Sequence, residues 1–130
     1  MKSREGVIRL KRFQVDEKRR QVAQIETMIA EFERMAKDLD DQINAEQERS
    51  GIRDTSHFAY PTFAKAAMQR RDNLLASAGE LKEQLATAKA EHGEASEELA
   101  KSEAIAERDH SRDFGAHEAP RPRDISAVAR

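Results

Sequence analysis

"IRLKRFQVDEKRRQVAQIETMIAEFERMAKDLDDQI", residues 8–43, decides the fold. Ile8, Val15, Val22, Ile29, Ala36 and Ile43 fall every seven residues, and this series defines position a. The companion position d, three residues on, reads Lys11, Lys18, Ile25, Phe32, Leu39 and Glu46. A sustained 3.5-residue repeat keeps one stripe of a helix turned toward a partner helix. The stripe is apolar at both positions in its middle and polar at d toward its two ends. No Pro and a single Gly, at position 6, occur before residue 50. The spacing therefore predicts one long helix over about 4–49.

Beyond it the pattern breaks at "SGIRDTSHFAYP", residues 50–61. Ser50-Gly51 reads as a helix stop, because Gly tolerates the left-handed conformation after a last turn. Asp54, Thr55 or Ser56 is expected to cap a second helix, with Pro61 in its first turn. A second seam then reads Ala64, Ala67, Arg71, Leu74, Ala78, Leu81, Leu85, Ala88, His92, Ala95, Leu99 and Ser102. This predicts a helix over about 62–109, richer in Ala. Gly79 and Gly93 weaken it by about 1 kcal/mol each relative to Ala. Residues 110–130 lose the rhythm and contain Pro120 and Pro122, which a helix interior does not accept. They are expected to form a disordered tail.

The expected fold is all-α: two long helices forming an antiparallel coiled-coil hairpin over residues 1–109, each about 70 Å long at 1.5 Å per residue. Charge sets the orientation. Residues 1–20 carry eight cations and three acids, and residues 91–109 carry seven acids and two cations. Residues 26–48 carry eight acids and two cations, against five cations and three acids in 62–90. Antiparallel pairing sets each block against its opposite, whereas parallel pairing would juxtapose the two acidic blocks. Flanking charges of this kind choose partner and direction. With the turn centred near residue 55, Ile29 is expected to face Leu81, Ile43 to face Ala67, and Lys18 to face His92. Large then meets small, or medium meets medium, which fills a core without voids. The polar layers at the end holding the termini should be loose.

Composition narrows the function. Charged residues make up 37% and aromatics 5%, too polar for a large globular core but suited to long helices. There is no Cys, hence no disulfide or thiol chemistry. No secretory signal is visible at the start, and no apolar run approaches the roughly 20 residues that span a bilayer. The chain reads as cytoplasmic. Nucleotide-binding glycine loops and the HExxH zinc motif are missing. His57, His92, His110 and His117 lack ligand spacing for a metal, so none is expected, and neither is a cofactor. Two helices alone offer no pocket that excludes water, so an enzyme is not expected.

Two surfaces remain. Leu10 and Phe13 lie off the seam, three apart on one face, among Arg9, Arg12, Arg19 and Arg20. This is either a solvated basic face paired to the acidic segment after residue 91, or a docking face with apolar anchors in a charged rim. Binding of nucleic acid by these cations is a weaker reading, since stacking aromatics are missing apart from Phe13. The second surface is "HFAYPTF", residues 57–63, which holds three of the six aromatics. Ile52, Phe58, Tyr60 and Phe63 either fold over the last seam layer, Ile43 and Ala67, as a plug, or form a recognition tip.

The segments "VIRLKRFQVDEKRRQVAQIETMIAEFERM" and "SHFAYPTFAKAAMQRRDNLL" resemble the FliJ-type flagellar type III export proteins in their alphaproteobacterial form, over about residues 1–109. The resemblance implies a small two-helix antiparallel coiled coil similar to the central stalk of rotary ATPases. It implies a non-enzymatic monomer at the flagellar basal body, linking the export ATPase ring to the membrane export gate and assisting export chaperones. Carried onto this chain, the ATPase-facing residues would be Arg9, Leu10, Arg12, Phe13, Arg19 and Arg20. Those facing the cytoplasmic domain of the gate protein would be Phe58, Tyr60, Phe63 and Met68. Gly79, Gly93 and the Pro-bearing tail depart from the pattern. The competing reading is a homo-oligomeric structural coiled coil with no export role.

Overall fold

With nothing to interrupt it between Gly6 and Gly51, the first helix, α1, is continuous over Lys2–Ser50 in the computed structural model. The second, α2, covers Thr62–Glu118. Backbone is described for residues 2–118 and side chains for residues 4–112; among the described residues there is no strand. The two helices pack against each other as an antiparallel hairpin. Gly51 closes α1 with φ 74°, and its N–H donates to the Gln47 carbonyl at 2.9 Å. That is the left-handed C-terminal cap expected of a glycine.

Two local expectations are corrected. None of Asp54, Thr55 and Ser56 caps α2. Its first turn is closed by the Pro61 carbonyl, which accepts from Lys65 N–H at 3.2 Å, so Pro61 stands just before the helix rather than within its first turn. Nor does α2 end near 109. It continues through His110 to Glu118, within the stretch expected to be tail. The seven-residue rhythm runs up to that stretch, with Ala106 and Asp109 half-buried in succession to Leu99 and Ser102. Arg4 forms an ion pair with Asp109. No Pro falls between residues 62 and 119, and Gly115 costs too little to stop a helix already packed on a partner. Residues 119–130, the rest of the expected tail, lie outside the described residues.

The hairpin comprises two units. Arg19–Ala90 forms one of them. Its buried apolar side chains are Ile29, Ala36, Leu39, Ile43, Tyr60, Ala64, Ala67, Ala78, Leu81 and Ala88. Leu39, Ile43 and Ala67 form the centre of this packing, with Met68 and Leu74 against them. On one flank, ion pairs cross between the helices: Lys89 to Glu26 at 3.8 Å, Lys82 to Glu33 at 2.8 Å and Arg71 to Asp40 at 2.7 Å. Asp40, and then Asp72, hold the Arg71 guanidinium above its usual pKa by accepting its N–H groups.

The other unit pairs α1 up to Lys18 with α2 from Glu91 onward. Among its described residues a single apolar side chain, Val15, is buried. Its helices are joined instead by charge. Lys11 Nζ donates to Ser102 Oγ at 2.7 Å and reaches Glu98 at 3.4 Å. Arg12 reaches Glu103 at 3.0 Å, and Lys18 reaches Glu91 at 2.9 Å. The lysines at position d thus run their alkyl stems along the seam and carry their ammonium groups out to acids at its edge.

Candidate docking surfaces

The turn is ordered by side chains bonding to nearby backbone. Ser50 Oγ accepts from Ile52 N–H at 3.1 Å. The Asp54 carboxylate accepts from Ser56 Oγ at 2.7 Å and from Ser56 N–H at 3.0 Å. These bonds, the hydroxyl first, hold the Asp54 carboxyl below its usual pKa. His57 Nδ1 accepts from Ala59 N–H at 2.9 Å, and Tyr60 N–H donates to the His57 carbonyl at 3.0 Å. Short polar side chains that satisfy the backbone in this way fix a turn without a core.

The aromatic group divides. Tyr60 is 5% exposed, and its hydroxyl sits between Gln47 Nε2, which donates to it at 2.8 Å, and Met68 Sδ at 3.5 Å. Tyr60 is the plug, tied to α1 and α2 at once, with Ile52 half-buried. Phe58 is not part of that plug. It is 96% exposed, and its ring stacks on His57 with centroids 4.8 Å apart. Phe63 also stays outside, 55% exposed, over a shallow groove formed with Gln42, Ala45 and Arg49. Of the four gate-end residues named from the resemblance, two therefore face solvent and two, Tyr60 and Met68, support the turn from within.

The six residues named at the other surface also separate. Leu10 and Phe13 are each 56% exposed, on the outer side of α1 as their spacing predicts. Val7, exposed on the same helix, lines a groove with Ile8 and Ile105. Arg9 is exposed. Arg12 is turned away from Leu10 and Phe13 to Glu103 on α2. Arg19 and Arg20 are exposed and each has an interaction partner. The solvated-and-paired reading of the basic segment thus describes Arg4, Lys11, Arg12 and Lys18, while the apolar pair stays uncovered.

Sequence reasoning did not single out Met28 and Met35. They lie seven residues apart, 40% and 49% exposed, beside the seam of Arg19–Ala90. Their seven-residue spacing was the available signal. Among the described residues no group of three His, Asp or Glu could hold a metal ion, and no helix is long and apolar enough to cross a membrane. The grooves are open and shallow; one is lined by Arg4, Ile8, Arg12, Glu103, Ala106 and His110 and holds the Arg12–Glu103 ion pair. Comparison with protein-family models, curated proteins and solved structures finds no match.

Proposed function

We propose that the chain is a non-enzymatic stalk and docking component of flagellar type III protein export, acting as a monomer. It would contact the export ATPase through Arg9, Leu10 and Phe13, and the cytoplasmic domain of the export gate protein through the turn. Export chaperones are further partners on this reading. The observation that carries it is the display of large apolar side chains outside the seam: Leu10 and Phe13 in one unit, Phe58 in the other. Leu10 and Phe13, three apart on one exposed face of α1, supply the clustered apolar anchors that a contact surface uses. Work is transmitted by rigid contact, with no bond made or broken by this chain.

The test is the ATP hydrolysis rate of the export ATPase with the chain added. The chain should stimulate it, and Leu10→Ala with Phe13→Ala should abolish the stimulation while leaving helicity unchanged. Unchanged stimulation by the double variant would remove the claim of docking through this face.

A second reading, self-association, is favoured by Met28 and Met35. Methionines on a helix flank adapt to many partners, a second copy included. Sedimentation equilibrium decides: a mass twice that of the chain, reduced to one copy by Met28→Glu with Met35→Glu, would support it over the monomer.

A further inference from the structure

We propose that two copies of this chain associate through complementary strips: Lys101, Ile105 and Arg108 of one copy against Glu31, Met35 and Asp38 of the other. The inference rests on the self-association reading and deepens it by naming the surface that receives the methionines.

The two strips share a spacing and differ in sign. Each sets its residues at i, i+4 and i+7, which brings them onto one helical face over about 10 Å. Each holds an apolar side chain between two like charges. All six residues are exposed, Met35 at 49% and Ile105 at 42%. The four charges form no ion pair among the described residues. Their neighbours differ in this respect. Beside Ile105, Glu98 is held by Lys11 and Asp109 by Arg4. Beside Met35, Glu33 is held by Lys82 and Asp40 by Arg71. Arg34 falls one row further out than Glu31 and Asp38, and Glu97 one row further out than Lys101; neither is ion-paired among the described residues. One strip is thus left with uncompensated acids and the other with uncompensated cations.

Apolar surface accompanies each strip. Ile105 borders the shallow groove that it forms with Val7, Ile8 and Ser102. Met28, three residues before Glu31 and 40% exposed, extends the other strip. Flexible thioether side chains adapt to an irregular groove of this kind. Apolar contact supplies the affinity, and the flanking charges choose partner and direction, as they do beside the seam of a coiled coil. Charge also argues against other occupants. Residues 119–130 carry three Arg against one Asp, the same sign as the Lys101–Arg108 strip. An anionic bilayer suits that strip but leaves Glu31 and Asp38 without a counterpart. Monomeric action in export then requires the two copies to part first.

The experiment is sedimentation equilibrium of the full chain, with anionic phosphatidylglycerol vesicles as a parallel probe. The unaltered chain should associate, and less so at high salt. A single contact leaves a strip free at each end and builds a row of copies, whereas two contacts close a pair, and the mass tells them apart. Lys101→Glu with Arg108→Glu makes both strips acidic, and Glu31→Lys with Asp38→Lys makes both basic. Each double variant alone should raise the dissociation constant about ten-fold or more, and mixing the two should restore association. A folding defect would not be repaired by mixing. Undiminished association of either variant alone, or no recovery on mixing, overturns this inference and leaves self-association standing through another surface. An unaltered chain that keeps the mass of one copy overturns both and leaves the monomer. Vesicle binding that Lys101→Glu with Arg108→Glu abolishes, without self-association, assigns the cationic strip to a lipid surface and overturns the pairing.

Discussion

Replacing Leu39 by Ala tests where the stability of the hairpin resides. Leu39 is 7% exposed and packs with Ile43 and Ala67 in the unit that holds ten of the eleven buried apolar side chains among the described residues. Leu→Ala at a buried site costs about 2–5 kcal/mol, depending on how far the surroundings collapse into the space. Here the half-buried Met68 and Leu74 border the site and can move in, so the cost should lie near the lower value, about 2 kcal/mol. For a domain of this size that lowers the thermal midpoint by about 8–16 °C. Val15→Ala is the paired perturbation. It removes two methyl groups' worth of burial, about 1.6 kcal/mol, from the unit whose described residues hold no other buried apolar side chain. The assay is thermal unfolding by circular dichroism together with amide hydrogen exchange. In the unaltered chain, amides of residues 29–43 should exchange more slowly than those of residues 4–18. Leu39→Ala should speed exchange throughout 19–90, and Val15→Ala should speed it in 4–18 and 91–110 while leaving 29–43 as it was. The reasoning is refuted if the segments holding the termini are the better protected, or if Leu39→Ala shifts the midpoint by less than about 2 °C.

Three further outcomes follow from single sites. Gly79 and Gly93 are exposed in helix interior with open space where a Cβ would stand, so Gly79→Ala should stabilise by about 0.5–1 kcal/mol, and Gly93→Ala should slow exchange within its own unit. Tyr60→Phe keeps the ring but removes the hydroxyl shared by Gln47 and Met68, and chemical denaturation should show a loss of about 1 kcal/mol. The Asp54 carboxyl is held below its ordinary value of 3.8, so its contribution to the turn is full above that pH and is lost as pH falls through the lowered value. The Ser56 amide resonance should therefore stay constant from pH 7 to about pH 4.5 and move only below about pH 4, whereas movement between pH 5 and 7 would show another group in control.

Much of the fold was legible because the seam is periodic. Each a and d position from Ile8 to Glu46, and each predicted seam position from Ala64 to Ser102, is buried or half-buried. The register was nearly right as well. Lys11 to Glu98 and Lys18 to Glu91 match a turn centred near residue 55 to within a residue, and the pairs Arg12–Glu103, Glu26–Lys89 and Glu33–Lys82 run about one turn further because they lie on a flank rather than in the seam. The end of α2 was misread because the apolar rhythm fades after residue 109 and Pro120 and Pro122 follow, whereas a helix already formed propagates through polar residues until a proline nears. The turn was legible only as a choice. Three aromatics within six residues signal either burial or display, and nothing in composition separates Tyr60 from Phe58. The distinction comes from Gln47 and Met68, which reach the Tyr60 hydroxyl from helices α1 and α2 and have no counterpart at Phe58.

The central claim, that separate surfaces of this chain meet separate partners, is open to one direct measurement. The chain has no Cys, so a single introduced thiol reports one place. Gln14→Cys lies beside Phe13, and Ala59→Cys lies beside Phe58; both positions are exposed. Each variant would carry a short thiol-to-amine cross-linker and be mixed with the export ATPase and the gate protein's cytoplasmic domain together. The account predicts that the thiol at 14 links to the ATPase and the thiol at 59 to the gate domain. Linkage of both positions to the same protein, or of neither to the ATPase, would contradict it.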